Sequence, residues 1–346
     1  MQPSARTRST GARVARRIGA HAGRVLSLAA LLSFLAGPAG AAKYAAEFLR
    51  IGAGARALGM GGAVTAQIDD AGAVYWNPAA MVDVPRAELL LMHAEQFSSL
   101  ADYDFAGYVQ RLAGTGSIGV GLVRFAVSDI LITKDAYDDA NGNHQYDWGE
   151  RIDPSRFYLD SDTEYGLFFS FARPVRRDLS LGGTLKFVRQ DLPGHSSFGV
   201  GTDLGALWTP HAALRFGARL SDATTTQLYW DTGRRETVNP ALYLGGAWRR
   251  SLAAQHIDVA LSLDLALTFE GRETASSFAL GSTVGGDARG GLEASYRRLF
   301  TARAGWQESG VTAGAGFRIK GVGIDYAFVP HEDLGSSHRV SASYAF

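Results

Sequence analysis

The chain has 346 residues, 46% of them apolar, and no cysteine, which excludes disulfides, thiol catalysis, cysteine metal ligands and a lipidated N-terminal Cys. Its 34 basic and 34 acidic side chains cancel, and the balance falls to about −6 (28 against 34) once a basic leader is set aside, so nucleic acid is not an expected partner. That much apolar surface serves either a large buried core or a large lipid-facing wall.

Residues 1–41 carry Arg6, Arg8, Arg13, Arg16, Arg17 and Arg24, no acid, an apolar run from Val25 to Ala36, and Ala39-Gly40-Ala41. A charged start, a short apolar stretch and a small-residue site predict a secretory signal cleaved after Ala41. A spanning anchor fits poorly, because the run falls well short of the roughly 20 residues a bilayer needs. Arg16-Arg17 hints at twin-arginine export, but the residues after the pair match that motif badly.

The next stretch, Tyr44 to Met81, is unlike the rest. Tyr44, Phe48 and Ile51 share a helix face, after which Gly52, Gly54, Gly59, Gly61 and Gly62 forbid a long regular element. Such a segment folds compactly only by leaning on something else; the bland alternative is an irregular loop. Asn77-Pro78 predicts a helix start, since Pro fits the first helical position and biases its predecessor towards the extended backbone of an N-cap.

Phe48-Leu-Arg-Ile-Gly-Ala-Gly-Ala-Arg-Ala-Leu-Gly-Met-Gly-Gly62, with Asp69-Asp70-Ala71 and Tyr75-Trp76-Asn77-Pro78-Ala79, resembles the N-terminus of PorV/PorQ-type proteins, within the wider FadL-like outer-membrane barrels. The resemblance covers about forty residues and is architectural beyond them. In FadL-like transporters the Asn-Pro-Ala motif lies in an N-terminal hatch that plugs the barrel; here Asn77, Pro78 and Ala79 match it. The resemblance therefore implies a hatch over 42–86 and a barrel over 87–346.

Beyond Pro85 the period is two. Ile257, Val259, Leu261, Leu263, Leu265, Leu267 and Phe269 alternate with Asp258, Ala260, Ser262, Asp264, Ala266 and Thr268, and the pattern recurs around Phe198 to Trp208, Leu214 to Leu220 and Val322 to Phe328. Alternation alone fits a half-buried soluble sheet as well as a membrane barrel. Connection lengths favour the barrel. About fourteen strands fit, from Ala87–Phe97 to His338–Phe346, an even number as single-chain outer-membrane barrels have. Tight turns such as Ala113-Gly114, Leu299-Phe300 and Lys320 alternate with long connections at 128–163, 221–240, 270–288 and 330–337. The last residue is Phe346, on an alternating strand, which resembles the signal that outer-membrane assembly machinery reads. Tyr165, Trp208, Trp248, Trp306 and Phe328 near strand ends suit interfacial girdles. The expected fold is an all-β transmembrane antiparallel barrel of about fourteen strands with an N-terminal hatch in its lumen. The expected location is the outer membrane of a Gram-negative-type bacterium, with lipid and the barrel assembly machinery as partners. The alternative is a secreted soluble β-protein.

One loop carries a chemical motif. Asp139-Ala-Asn141-Gly-Asn143-His-Gln145-Tyr-Asp147-Trp-Gly-Glu150 places oxygen side chains at positions 1, 3, 5, 9 and 12, the EF-hand spacing for Ca²⁺, with Gln145 offering its backbone carbonyl. His144 stands where Gly makes the sharp turn, so weak affinity, roughly 10⁻⁴ to 10⁻³ M, is expected. The alternative is an acidic solvated loop spaced this way by coincidence. The histidines form no triad or metal-ligand spacing, and the glycine runs lack the Lys-Ser/Thr of a phosphate loop, so no enzyme is expected. Two functions compete: passage of small hydrophobic compounds, or a PorV-like scaffold of type IX secretion that holds exported protein cargo. The hatch motif is common to both.

Overall fold

A computed structural model describes residues 45–96, 99–134, 136–143, 146–269, 278–280, 284–330 and 335–346; the expected signal at 1–41, and His144 and Gln145 of the loop, lie outside these residues. The strands are β1 (Ala87–Gln96), β2 (Ala101–Leu112), β3 (Gly116–Ile132), β4 (Tyr158–Arg176), β5 (Leu179–Leu192), β6 (His195–His211), β7 (Leu214–Ser221), β8 (Thr226–Trp230), β9 (Arg235–Val238), β10 (Ala241–Leu252), β11 (Ile257–Thr268), β12 (Phe278–Leu280), β13 (Val284–Tyr296), β14 (Phe300–Gln307), β15 (Gly310–Ile319), β16 (Val322–Val329) and β17 (Ser337–Ala345).

Fourteen of these close into one antiparallel barrel: β1 to β7, β10, β11 and β13 to β17. Closure runs through β1, where Leu91 faces Ala106 of β2 on one side and Ala342 of β17 on the other. A closed barrel leaves no unpaired sheet edge. At one end the connections are short; Lys320 (φ 47°) and Gly321 (φ 85°) make a two-residue turn between Ile319 and Val322, the left-handed pair whose twist matches the flanking strands. The long connections gather at the other end, although β5–β6 and β14–β15 also turn tightly there.

The stretches expected as loops at 128–163 and 221–240 are partly strand. β3 and β4 run on past a bulge at Val127/Ile130 to pair Leu131 with Leu159 and Ile132 with Tyr158. Thr226 to Val238 forms the hairpin β8–β9, which pairs with β6 above the end of β7. Its Thr-Gln-Leu-Tyr-Trp alternation spans five residues, too few to stand out from a loop in the sequence.

The radial distribution inverts that of a soluble protein. Facing out and exposed are Leu89, Leu91, Ile118, Val120, Leu122, Phe169, Phe171, Leu261, Leu263, Ile324 and Val340, with Trp208, Tyr296, Phe300, Tyr344 and Phe346 near the turn end. Buried on the inner face are Lys186, Asp203, Arg219, Asp264, Arg303, Asp325 and Arg339. A continuous exposed apolar wall around a charged interior is stable only where lipid replaces water outside. Among the described residues no helix is long and apolar enough to cross a membrane; the strands cross it.

Candidate functional site

Residues 45–84 lie within the barrel. They form a 3₁₀ turn (Glu47–Arg50), helix α1 (Ala55–Gly59), helix α2 (Ala73–Trp76) and a second 3₁₀ turn (Pro78–Asp83). From Gly52 to Met81 every residue is buried except Arg56 and Asp69, which are half-buried. The segment is stitched to itself: the Tyr75 hydroxyl donates to Leu49 O at 2.6 Å and accepts from Gly52 N at 3.0 Å, while Trp76 Nε1 donates to Ala53 O at 2.6 Å.

The sequence motif sits at its centre. Asn77 is fully buried in extended backbone, and its Oδ1 accepts from Ala79 N at 3.1 Å, capping the turn that Pro78 opens. Its Nδ2 donates to Thr65 O at 2.7 Å and to Ala206 O of β6 at 3.2 Å, joining two parts of the segment to the wall. This close approach needs wall positions with no side chain. Gly182 and Gly205, paired across β5 and β6, provide it: a Cβ on Gly182 would stand 2.5 Å from Ala79 N, and one on Gly205 would overlap Asn77 Oδ1. The paired Gly217 and Gly245 seat Thr65 in the same way, and Gly291 and Gly305 seat Met60-Gly61. The inner-face glycines are thus a docking surface for backbone.

Charge fixes the segment next. Arg56 of α1 makes two bonds to Glu293 of β13, at 2.9 and 3.0 Å, and reaches Asp70 at 3.1 Å and Asp69 at 2.5 Å. Arg303 holds the same Glu293 at 2.7 Å and Asp325 at 2.7 Å, and Arg249 pairs with Asp69 at 3.1 Å. Arg215 pairs with Asp83. A fork-shaped guanidinium can satisfy several carboxylates at once, which suits Arg rather than Lys here. Burial alone would raise the Asp69 carboxyl, but the guanidinium groups of Arg56 and Arg249 outweigh it and hold Asp69 well below the usual range; burial, then the neighbouring charge of Asp69, pushes Asp70 up. Sequence reading found Asn77 but not Arg56, Tyr75 or Trp76 as structural agents; the signal available was that Arg56 and Asp69-Asp70 are charges in an otherwise apolar, glycine-rich run.

The filled barrel has an open vestibule at each end. At the loop end a space of about 540 Å³ is lined by Phe48, Ile51, Gln96, Phe125, Glu164 and Arg339. At the turn end one of about 640 Å³ reaches Arg56, Asp69, Arg249 and Glu293. A separate cavity of about 30 Å³ lies beside Tyr75, Lys186, Arg219 and Asp222. There Arg219 lies over the rings of Tyr75 and Tyr243, at 5.7 and 5.3 Å, and Lys186 is paired with Asp203 and Asp222 at 3.1 and 2.5 Å.

The loop at 139–150 is ordered around its acidic residues. Asp139 Oδ1 accepts from Gly142 N at 2.7 Å and Asn143 N at 3.2 Å; Asn141 and Asn143 donate to Asp147 Oδ2 at 2.6 and 2.8 Å; Glu150 accepts from Ala140 N at 3.0 Å and Asp147 N at 2.9 Å. Hydrogen bonds thus tie together five of the six expected ligand residues, and Gln145 lies outside the described residues. Among those residues no three acidic or imidazole groups are close enough to hold an ion.

No protein-family model and no curated protein matches this chain. Solved structures do. The toluene transporter TbuX of Ralstonia pickettii is 14% identical, with TM-score 0.50 over 84% of this chain and 97% of that one. The toluene transporter TodX of Pseudomonas putida is 14% identical, with TM-score 0.52 over 85% and 99%. The CymD monoaromatic hydrocarbon channel is 15% identical, with TM-score 0.53 over 86% and 98%. At these identities the likeness establishes the fold, a FadL-like fourteen-strand barrel.

Proposed function

We propose that this chain is a FadL-like barrel of the outer membrane of a Gram-negative-type bacterium, passing small hydrophobic compounds, with residues 42–86 acting as its hatch. The observation that carries the reading is the separation of two vestibules by a segment seated on glycines and ion pairs, not by covalent closure. Such a stopper blocks free diffusion and opens a path when displaced. The fold shared with proteins named as toluene transporters and a monoaromatic hydrocarbon channel supports the class of cargo. Lipid and the barrel assembly machinery are its partners here. Liposome uptake of a hydrophobic tracer, compared between the intact protein and one lacking Ala42 to Met81, tests it: faster uptake by the shortened form is expected, and an equal slow leak in both sinks the idea.

A second reading keeps the finer PorV/PorQ kinship and makes the barrel a type IX secretion scaffold for exported protein cargo. In its favour, the cavity beside Lys186, Arg219 and Asp222 is small and charged, unsuited to a resident apolar molecule. The β3–β4 extension would then be the working surface. Uptake by neither form, with cargo protein retained on the intact barrel, is its signature.

Calcium at the 139–150 loop belongs to either reading. What supports it is the EF-hand spacing of Asp139, Asn141, Asn143, Asp147 and Glu150 and the hydrogen bonds that join them in one loop; closing that loop further would bring the carboxylates together and call for a cation. A bound ion would replace the amide hydrogen bonds to Asp147 with oxygen ligation and hold the extracellular loop in one conformation.

A further inference from the structure

Arg339 of β17 points into the lumen at the floor of the loop-end vestibule and is 4% exposed. The other buried arginines of the lumen are paired: Arg219 with Asp203, Arg303 with Glu293 and Asp325, Arg215 with Asp83. Arg339 has no carboxylate partner among the described residues. It makes only two long hydrogen bonds, from Nη1 to Gly52 O at 3.4 Å and from Nη2 to Gln96 Oε1 at 3.3 Å, and its Nε has no partner. One further buried donor lines this vestibule and is also unmatched, Gln96 Nε2 at the end of β1 (residue 4% exposed). A buried cation without a counter-charge is costly, and two unmatched donors together ask for a group that only accepts. An ionised carboxylate is such a group, with two oxygens and no hydrogen, and a guanidinium fork takes it in two parallel bonds.

The rest of the vestibule describes what that carboxylate is attached to. Phe48, Ile51, Phe125 and Val329 line the same space, whose volume of about 540 Å³ is that of a small-molecule site. Its own three acids are engaged: Glu47 lies 3.4 Å from Arg50, Glu164 accepts from Gln190, and Glu308 is not free either. We propose that Arg339 and Gln96 form a carboxylate site at the floor of this vestibule, and that the compound it receives is a small aromatic carboxylate, not a neutral hydrocarbon. Because Arg339 also bonds Gly52 O, the ligand meets the barrel where the N-terminal segment is tied to β17. Only the description of this ligand as cargo rests on the transport reading.

Equilibrium dialysis of labelled benzoate against the full-length barrel in detergent at neutral pH tests the site. Saturable binding is expected, weakened at least about tenfold in Arg339→Gln, since a hydrogen bond to a charged group carries that much; Arg339→Lys should recover part of it. Toluene binding should be the same in native protein and Arg339→Gln, and octanoate should bind more weakly than benzoate. Equal benzoate binding in native protein and Arg339→Gln overturns the site, and octanoate binding as tightly as benzoate overturns the aromatic assignment. If Arg339→Gln does not fold, Gln96→Leu, which removes one donor, is expected to weaken benzoate several-fold, and unchanged affinity there overturns the proposal equally. Benzoate influx into liposomes is measured separately: binding without influx removes the transport reading and leaves the site.

Discussion

Replacing Asn77 by Ala removes the side chain that holds the N-terminal segment to itself and to the wall. Three hydrogen bonds go at once: Nδ2 to Thr65 O, Nδ2 to Ala206 O, and Ala79 N to Oδ1. At about 1 kcal/mol net for each, the seated state loses about 3 kcal/mol, which is on the order of a hundredfold in the population of the displaced segment. The loss is local, because none of the three is a rung of the barrel ladder. Hydrogen exchange followed by mass spectrometry should therefore show roughly hundredfold faster exchange for amides between residues 45 and 84, with barrel strands unchanged, and tracer leak should rise in parallel. Asn77→Asp keeps the acceptor for Ala79 N but sets a carboxylate against two carbonyl oxygens, so it should be no better than Ala. Unchanged exchange in 45–84, or acceleration spread evenly over the strands, would refute the reasoning.

Arg56→Met leaves Glu293, Asp69 and Asp70 with fewer counter-charges, and since Arg303 and Arg249 still hold two of them, the cost should fall near about 3 kcal/mol, read as a lower unfolding midpoint of the segment in detergent. Asp69 has a depressed folded pKa, so its contribution is present above its ordinary value and is lost as pH falls through and below it, whereas the raised Asp70 gains stability as pH falls; segment protection should therefore not fall between pH 7 and about 4 and should drop below that, and a drop beginning near neutrality would contradict the Arg56 and Arg249 pairing. For the loop, limited proteolysis should cut between Asn141 and Trp148 faster in chelator than in millimolar calcium, and Glu150→Gln should abolish the difference; identical cleavage in both conditions removes the calcium site.

The sequence by itself determined the wall. An alternating strand such as Ile257 to Thr268 must put Leu261, Leu263 and Leu265 on one face whatever its neighbours do, because successive side chains point to opposite sides. Tight turns such as Lys320-Gly321 fix antiparallel pairing locally, so strand number and direction follow from residues close together in the chain. Only the tertiary structure decided what the inward face is for. Arg56 meets Glu293 across 237 positions of sequence because the N-terminal segment lies inside the barrel, and Arg339 meets Gln96 across 243 because the barrel closes β17 onto β1. In the same way, Gly182 and Gly205 look like weak points of strands until register pairs them beneath Asn77, where the absence of two side chains lets backbone pack on backbone.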